Sequence, residues 1–355
     1  MRNPDATGHN CYITTKNNPS QKNVVRYPEP PEPSDYEGSP YYLTDFNPHD
    51  KPWDTHRAQA QDVQSIYETE QEFQKIATRI GGCSGTLGFA WHYNAVTGEA
   101  KLKLGSAQFC RVRNCPVCQW RRSLMWQARF YQALPTVMQN HPKHRWLFLT
   151  LTVRNCHASE LRETIKKMND AFKKLTKRKE FKPVTGWLRT TEVTRGKDGS
   201  AHPHFHVLLL VPPSYFKGGQ YVKQQTWREI WGSALKADYL PVVNIKTVKP
   251  RKRDNVSPED HAQALAGAVA ETLKYAVKPD DMTNDPDWFL EITRQCHKLR
   301  FVASGGVLKN VLKVEQESDS DLVHTDDEKT EEIETGDRVL FDWRPSARRY
   351  ARGRG

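Results

Sequence analysis

A strand-like run, His202-Pro-His204-Phe-His206-Val-Leu-Leu-Leu-Val211, constrains this chain more than any other segment. A strand turns successive side chains to opposite faces, so His204 and His206 point the same way and can hold one divalent ion between them. Residues 187–194 form a second run of strand character, and Gly196-Lys-Asp-Gly199 has the composition of a hairpin turn joining the two. That turn folds Glu192 back beside His204, making its carboxylate a candidate third ligand. His202 shares the face by parity and is a further candidate, although Pro203 can bend it away.

The neighbouring segments supply a fold class. Residues 146–153 read as a buried strand from their β-branched and aromatic content. Residues 159–175 read as an amphipathic helix with Leu161, Ile165, Met168, Phe172 and Leu175 inward. A short helix at 227–235, a strand at 242–248 and a helix at 261–277, stopped by Pro279, follow. Strand, helix, hairpin, helix, strand, helix implies an α+β domain, an antiparallel sheet with helices packed on it. On the last helix Glu271, Tyr275 and Lys278 would share one face, with Lys274 flanking them. The tyrosine is then a candidate nucleophile between a carboxylate and an ammonium.

A second chemistry lies upstream. Cys110-Arg-Val-Arg-Asn-Cys115-Pro-Val-Cys118 has the two-residue gap of a zinc knuckle and a third thiol close by. Cys83 is the natural fourth ligand of a tetrahedral Zn2+ site, with His92 as its substitute. Arg111, Arg113, Arg121 and Arg122 would lie on the rim of this module. Cys11, Cys156 and Cys296 look unrelated to it.

Charge is unevenly spread. The chain carries +11, yet residues 314–337 hold 11 acids and one lysine, which leaves about +21 elsewhere. That balance suits a surface that tracks phosphates. We expect a polar, proline-broken arm without order at 1–60, a helix and basic four-cysteine module at 61–140, the sheet domain at 141–313, an acidic linker at 314–337 and an arginine-rich tail at 338–355. Within the module, a helix is expected at 62–80 and an alternating region at 86–104. Clustered cysteines point to a reducing compartment, and no run approaches the ~18 apolar residues of a membrane span, so the expected location is the cytoplasm, with no membrane partner.

Same-face histidines around a bulky apolar residue, followed by a tyrosine, resemble the HUH endonucleases. Phe148-Leu-Thr-Leu-Thr152, residues 202–211 and Lys274-Tyr-Ala-Val-Lys278 follow the order and spacing of that superfamily's rolling-circle plasmid replication initiators. Glu271, four residues before Tyr275, resembles the single-tyrosine branch. The resemblance extends upstream to about Cys83 and draws nothing from residues after about 314. It implies a central antiparallel sheet with the histidines on a middle strand, and an acidic or polar third ligand at the place of Glu192. The mixed ligand set and a phosphate substrate make Mg2+ or Mn2+ the expected ion. The partners implied are plasmid origin DNA, cut at a single-stranded or hairpin nick site, and a host helicase and DNA polymerase. The implied activity is nicking through a 5′-phosphotyrosine on Tyr275, leaving a 3′-hydroxyl primer, with Glu271 activating water at termination and Lys274 among the DNA contacts. A single-tyrosine transposase and a non-catalytic, zinc-braced DNA-binding regulator are the alternatives.

Overall fold

The computed structural model describes residues 41–94, 100–250, 257–274, 276–313, 317–325 and 332–353. Helices α1 (Leu43–Phe46), α2 (Lys51–Glu68) and α3 (Gln74–Gly81) lead into strands β1 (Thr86–Asn94) and β2 (Ala100–Ala107). Helix α4 (Pro116–Asn140) is followed by β3 (Arg145–Thr152), α5 (Leu161–Leu175), β4 (Gly186–Arg195), β5 (Ala201–Val211), α6 (Gln224–Leu235) and β6 (Val243–Thr247). Then come α7 (Pro258–Thr272), α8 (Pro279–Asn284), α9 (Pro286–Cys296), β7 (Val302–Gly306), α10 (Asp319–Val323), β8 (Glu332–Arg344) and β9 (Arg349–Arg352).

The expected hairpin forms at the centre. Gly199 takes φ +80°, a left-handed backbone that glycine adopts without a Cβ clash, and its N–H donates to Gly196 O at 3.0 Å. Register follows from this turn: Glu192 stands opposite His204 and Thr190 opposite His206. The five strands run in the order β6-β3-β5-β4-β7, all antiparallel, which makes β5 the middle strand.

Alternation along β5 explains its long apolar run. Phe205, Val207, Leu209 and Val211 pack with Met168, Phe172, Trp227 and Trp231 of α5 and α6. Leu208 and Leu210 face the other way, onto Phe130 and Val137 of α4 and Val269 of α7. Both faces are thus covered, and each fully buried leucine or phenylalanine contributes roughly 1.5–3 kcal/mol. His204 and His206 belong by parity to the α4 and α7 side.

A second sheet, β2-β1-β8-β9, joins residues far apart in sequence. Leu87 and Phe89 of β1 pack with Phe341 and Tyr350. The Tyr350 hydroxyl donates to Ser84 O at 2.6 Å, and its backbone N–H donates to Asp54 Oδ1 at 2.8 Å. Arg348 grips Asp62 with two hydrogen bonds of 2.7 Å.

Several expectations are corrected here. Residues 43–60, assigned to an unordered arm, contain α1 and most of α2, because Pro52 falls in the first helical turn, where a missing N–H costs nothing; residues 1–40 lie outside the described residues. The single helix expected at 62–80 is two helices, separated by a 3-10 turn at Gln71–Phe73. The acidic stretch is not a solvated linker over its described residues: Leu322 and Val323 are buried, and Glu317, Asp319 and Asp321 pair with Arg122, Arg111 and Arg129. The arginine-rich end is strand β9 over Arg349–Arg352, where Tyr350 and Ala351 turn inward.

Candidate active site

Three side chains converge on the α4 and α7 side of the sheet. Nε2 of His204 and Nε2 of His206 lie 3.0 and 2.8 Å from the same oxygen of Glu192, and 3.2 Å from each other. All three residues are nearly inaccessible, at 2% for Glu192, 9% for His204 and 6% for His206. Nδ1 of His204 faces the His202 carbonyl at 3.3 Å, which favours a proton on Nδ1 and leaves a lone pair on Nε2. The Phe148 ring stacks on His206 at 5.4 Å between centroids. Two imidazole nitrogens and a carboxylate oxygen crowded within 3.2 Å of one another are a donor set that fits a cation.

Glu192 is held ionised. Burial raises its carboxyl pKa, but its contacts with His204, His206 and the Lys274 ammonium outweigh burial and hold it well below the ordinary carboxylate range. Lys274 Nζ is 2.9 Å from the same Glu192 oxygen and 2.7 Å from Glu271. Burial opposes its charge, while the two carboxylates raise its pKa above that of a free lysine. Glu271 is more exposed and lies 3.8 Å from His206 Nε2. Two of the site's groups therefore reach it from the end of α7, and three come from the hairpin.

His202 does not join this set: it is half-buried near the start of β5, and the converging ligand atoms come from Glu192, His204 and His206. The shared helical face expected for Glu271, Tyr275 and Lys278 is also corrected. Helix α7 stops at Thr272, and the chain then joins the edge of β4, where Val193 N–H donates to Ala276 O at 2.9 Å and Val277 bridges Val193 in parallel. Lys278 is exposed in an extended conformation at the start of α8, because Pro279 disfavours helical backbone before it. Tyr275 lies outside the described residues. Its neighbours in the chain are both anchored, Lys274 on Glu192 and Ala276 through its N–H to Gln119 Oε1 at 3.1 Å.

Gln119 carries no sequence signal for that task. It sits one residue after Cys118, far upstream, and only the packing of α4 over the sheet brings it to residue 276.

Cys83, Cys110, Cys115 and Cys118 form a second buried group. Their sulfurs lie 3.5 Å (Cys110 to Cys118), 3.6 Å (Cys83 to Cys118) and 3.7 Å (Cys115 to Cys83) apart, far longer than the ~2.05 Å of a disulfide. Backbone N–H groups of Cys110 and Val112 donate to Cys83 and Cys110 sulfur at 3.4 and 3.5 Å. Donors aimed at sulfur suit thiolates, and burial beside three other sulfurs pushes the free Cys115 thiol well above its usual pKa, a state that a cation would relieve. The fourth member is Cys83 and not His92, which lies within β1. Cys156 and Cys296 stand apart from the group.

The arginines expected on the rim of this module divide. Arg111 is exposed, while Arg113 lies over the Phe301 ring at 4.5 Å and donates to Leu299 O. Arg122 makes a two-pronged contact with Glu317 at 2.7 and 2.8 Å. Arg121 is corrected: it is buried between Trp53 and Trp120 and donates to Leu322 O, Val323 O and Thr325 Oγ1, so its charge is committed inside the protein. A cavity of about 410 Å³ is lined by Arg111, Arg113, Arg122, Arg300, Lys274 and Ala276, and so spans from the cysteine module to the hairpin site.

Comparison with known proteins adds a lineage. A family model described as replication protein matches residues 101–351. A protein rep of Lactiplantibacillus plantarum is 38% identical over 283 residues, covering 76% of this chain and 86% of the relative. One from Streptococcus pneumoniae is 30% identical over 309 residues, covering 85% and 92%. A replication protein of Staphylococcus aureus is 34% identical over 226 residues, covering 60% and 93%. No solved structure gives a significant match. The family match runs well past residue 314, where the resemblance was expected to end.

Proposed function

This chain belongs to the replication protein family, and we propose that it initiates rolling-circle replication of a plasmid by nicking one strand at the double-strand origin. One observation carries the reading: the Glu192, His204 and His206 donors meet beside Lys274, the residue next to Tyr275. In this reading the Tyr275 hydroxyl attacks a phosphodiester, forming a phosphorus–oxygen bond to the tyrosine while the bond to the 3′ oxygen breaks. The phenol loses one proton and the released 3′ oxygen gains one. One phosphate ester replaces another, so little bond energy is lost and strand closure is the same exchange in reverse.

Glu192, His204 and His206 would hold Mg2+ or Mn2+, which when bound neutralises charge on the phosphate oxygens. Lys274 would balance the charge of Glu192 until the ion takes its place. Glu271, partly exposed at the mouth of the site, is the base that activates water or a strand end when a round finishes. The thiolate group would hold Zn2+: a tetrahedral site with Zn–S near 2.3 Å has sulfurs roughly 3.8 Å apart, close to the 3.5–3.7 Å found. That ion would brace the loop presenting Arg111 and Arg113 to DNA. A host helicase and polymerase would extend the primer.

The test uses the full chain with Mn2+ and labelled single-stranded oligonucleotides tiled across both strands of the replicon that encodes it. One oligonucleotide should give a covalent adduct that mass spectrometry places on Tyr275, and Tyr275→Phe should give none. An adduct of normal yield in that variant, or none with any oligonucleotide, would overturn the proposal.

A further inference from the structure

Carboxylates at alternate positions 317, 319 and 321 each meet a different arginine. Glu317 takes Arg122, Asp319 takes Arg111 at 2.6 Å, and Asp321 takes Arg129 at 2.8 Å. Arg122 and Arg129 are two turns apart on one face of α4, and Arg111 follows the cysteine ligand Cys110. The guanidinium fork matches carboxylate and phosphate oxygens alike. These arginines form a row, and its end with Arg111 and Arg122 lines the cavity that reaches Lys274.

We infer that Arg129, Arg122 and Arg111 are a track for three phosphates of one DNA strand, and that residues 317–321 occupy it as an internal stand-in which the strand displaces. The identity of the displacing strand rests on the nicking reading. The acidic segment has two parts with different holds on the protein. Residues 322–325 are anchored by buried Leu322 and by the three hydrogen bonds from Arg121. Residues 317–321 are held by the two-pronged Arg122–Glu317 contact, by the Phe109 N–H on Asp319 at 3.2 Å, by the Ser318–Asp321 capping box and by the Arg111 and Arg129 pairs, whose side chains keep 24–40% of their exposure, a class worth about 1 kcal/mol or less each. A polyphosphate that takes the carboxylates' places leaves every arginine paired, and its binding releases the strand's counterions. A strand laid along the row arrives at the cavity with Trp126 in its wall for base stacking, then at Lys274. While the carboxylates hold the row, its three positive charges are neutralised, which suppresses binding to unrelated nucleic acid.

The test compares two triple variants of the full chain for binding to the single strand dT12 by fluorescence anisotropy over a range of salt. Glu317→Gln/Asp319→Asn/Asp321→Asn should bind dT12 at least ten-fold more tightly than the natural protein near 0.1 M salt. The slope of log affinity against log salt should steepen by about two, the value for three added phosphate contacts. Glu163→Gln/Asp170→Asn/Asp238→Asn removes the same charge from exposed sites elsewhere and should change affinity less than three-fold. Equal behaviour of the two triples, or weaker binding by the first, would overturn the inference. Because Asp321 also caps α10, a second measurement uses the unaltered protein: amide hydrogen exchange over residues 317–321 should quicken when dT12 is added. Unchanged or slower exchange overturns it as well. Neither assay needs cleavage, so a protein that forms no tyrosyl adduct but passes both loses the nicking reading alone, and the opposite pattern loses only the track.

Discussion

The two buried ligand groups differ in how they are finished. The four cysteines are closed on themselves: every donor is a sulfur, and backbone N–H groups supply the outer contacts. The hairpin group has three donors, and its outer contacts are charged side chains, Lys274 and Glu271, at the edge of a cavity. A closed set holds an ion for what it does to the fold. An open set with movable charges around it leaves room for a substrate. The contrast teaches that burial alone does not distinguish bracing from chemistry, whereas what surrounds the donors does.

The strongest way to break this contrast is to remove donors from each group. His204→Ala/His206→Ala should lower adduct formation by more than about 100-fold while leaving zinc content and thermal melting nearly unchanged, as metal analysis and calorimetry would record. Cys115→Ser should do the reverse, losing zinc and lowering the melting temperature by on the order of 10 °C. Should the histidine variant melt like the cysteine variant, the hairpin group is a structural brace too.

Chelation sharpens it with the natural protein. Brief treatment with EDTA should abolish cleavage, restored by Mn2+, before any zinc is released, because an open three-donor set yields its ion faster than a closed tetrathiolate. Simultaneous loss of both ions would erase the difference. A smaller effect is expected at Glu271→Gln: the first adduct should form within about three-fold of normal, while plasmid products longer than one unit accumulate on gels. Smallest is Lys274→Met. Removing the ammonium that competes for Glu192 should strengthen Mn2+ binding a few-fold by calorimetry, and weaker binding would mean that Lys274 organises the ligands.

Much of this was legible in the residues because it depends on local geometry. Strand parity put His204 and His206 together, the Gly196 to Gly199 turn set Glu192 opposite His204, and a two-residue gap marked Cys115 and Cys118. What escaped depends on contacts between distant segments. Leu273 and Lys274 are good helix formers, and only the capture of Ala276 and Val277 by β4 ends α7 before them. Arg121 and Arg122 look alike in sequence, yet one lies between two tryptophans and the other against Glu317. A count of acids over 314–337 gave a charge and no partners, since those partners lie about 200 residues earlier. The role of Gln119 depends likewise on a hydrogen bond across 157 positions.

The second sheet has a consequence in time. Strand β1 is bordered on one side by β2 and on the other by β8, and β9 closes over α2 through Arg348 and Tyr350. During synthesis on a ribosome, β1 and the helices before it emerge some 240 residues ahead of β8, so one long edge of β1 waits unpaired until β8 is made. Chains that stop before β8 therefore lack the Phe341 and Tyr350 side chains that pack against Leu87 and Phe89. The second sheet is therefore completed only when residues 332–352 have been made.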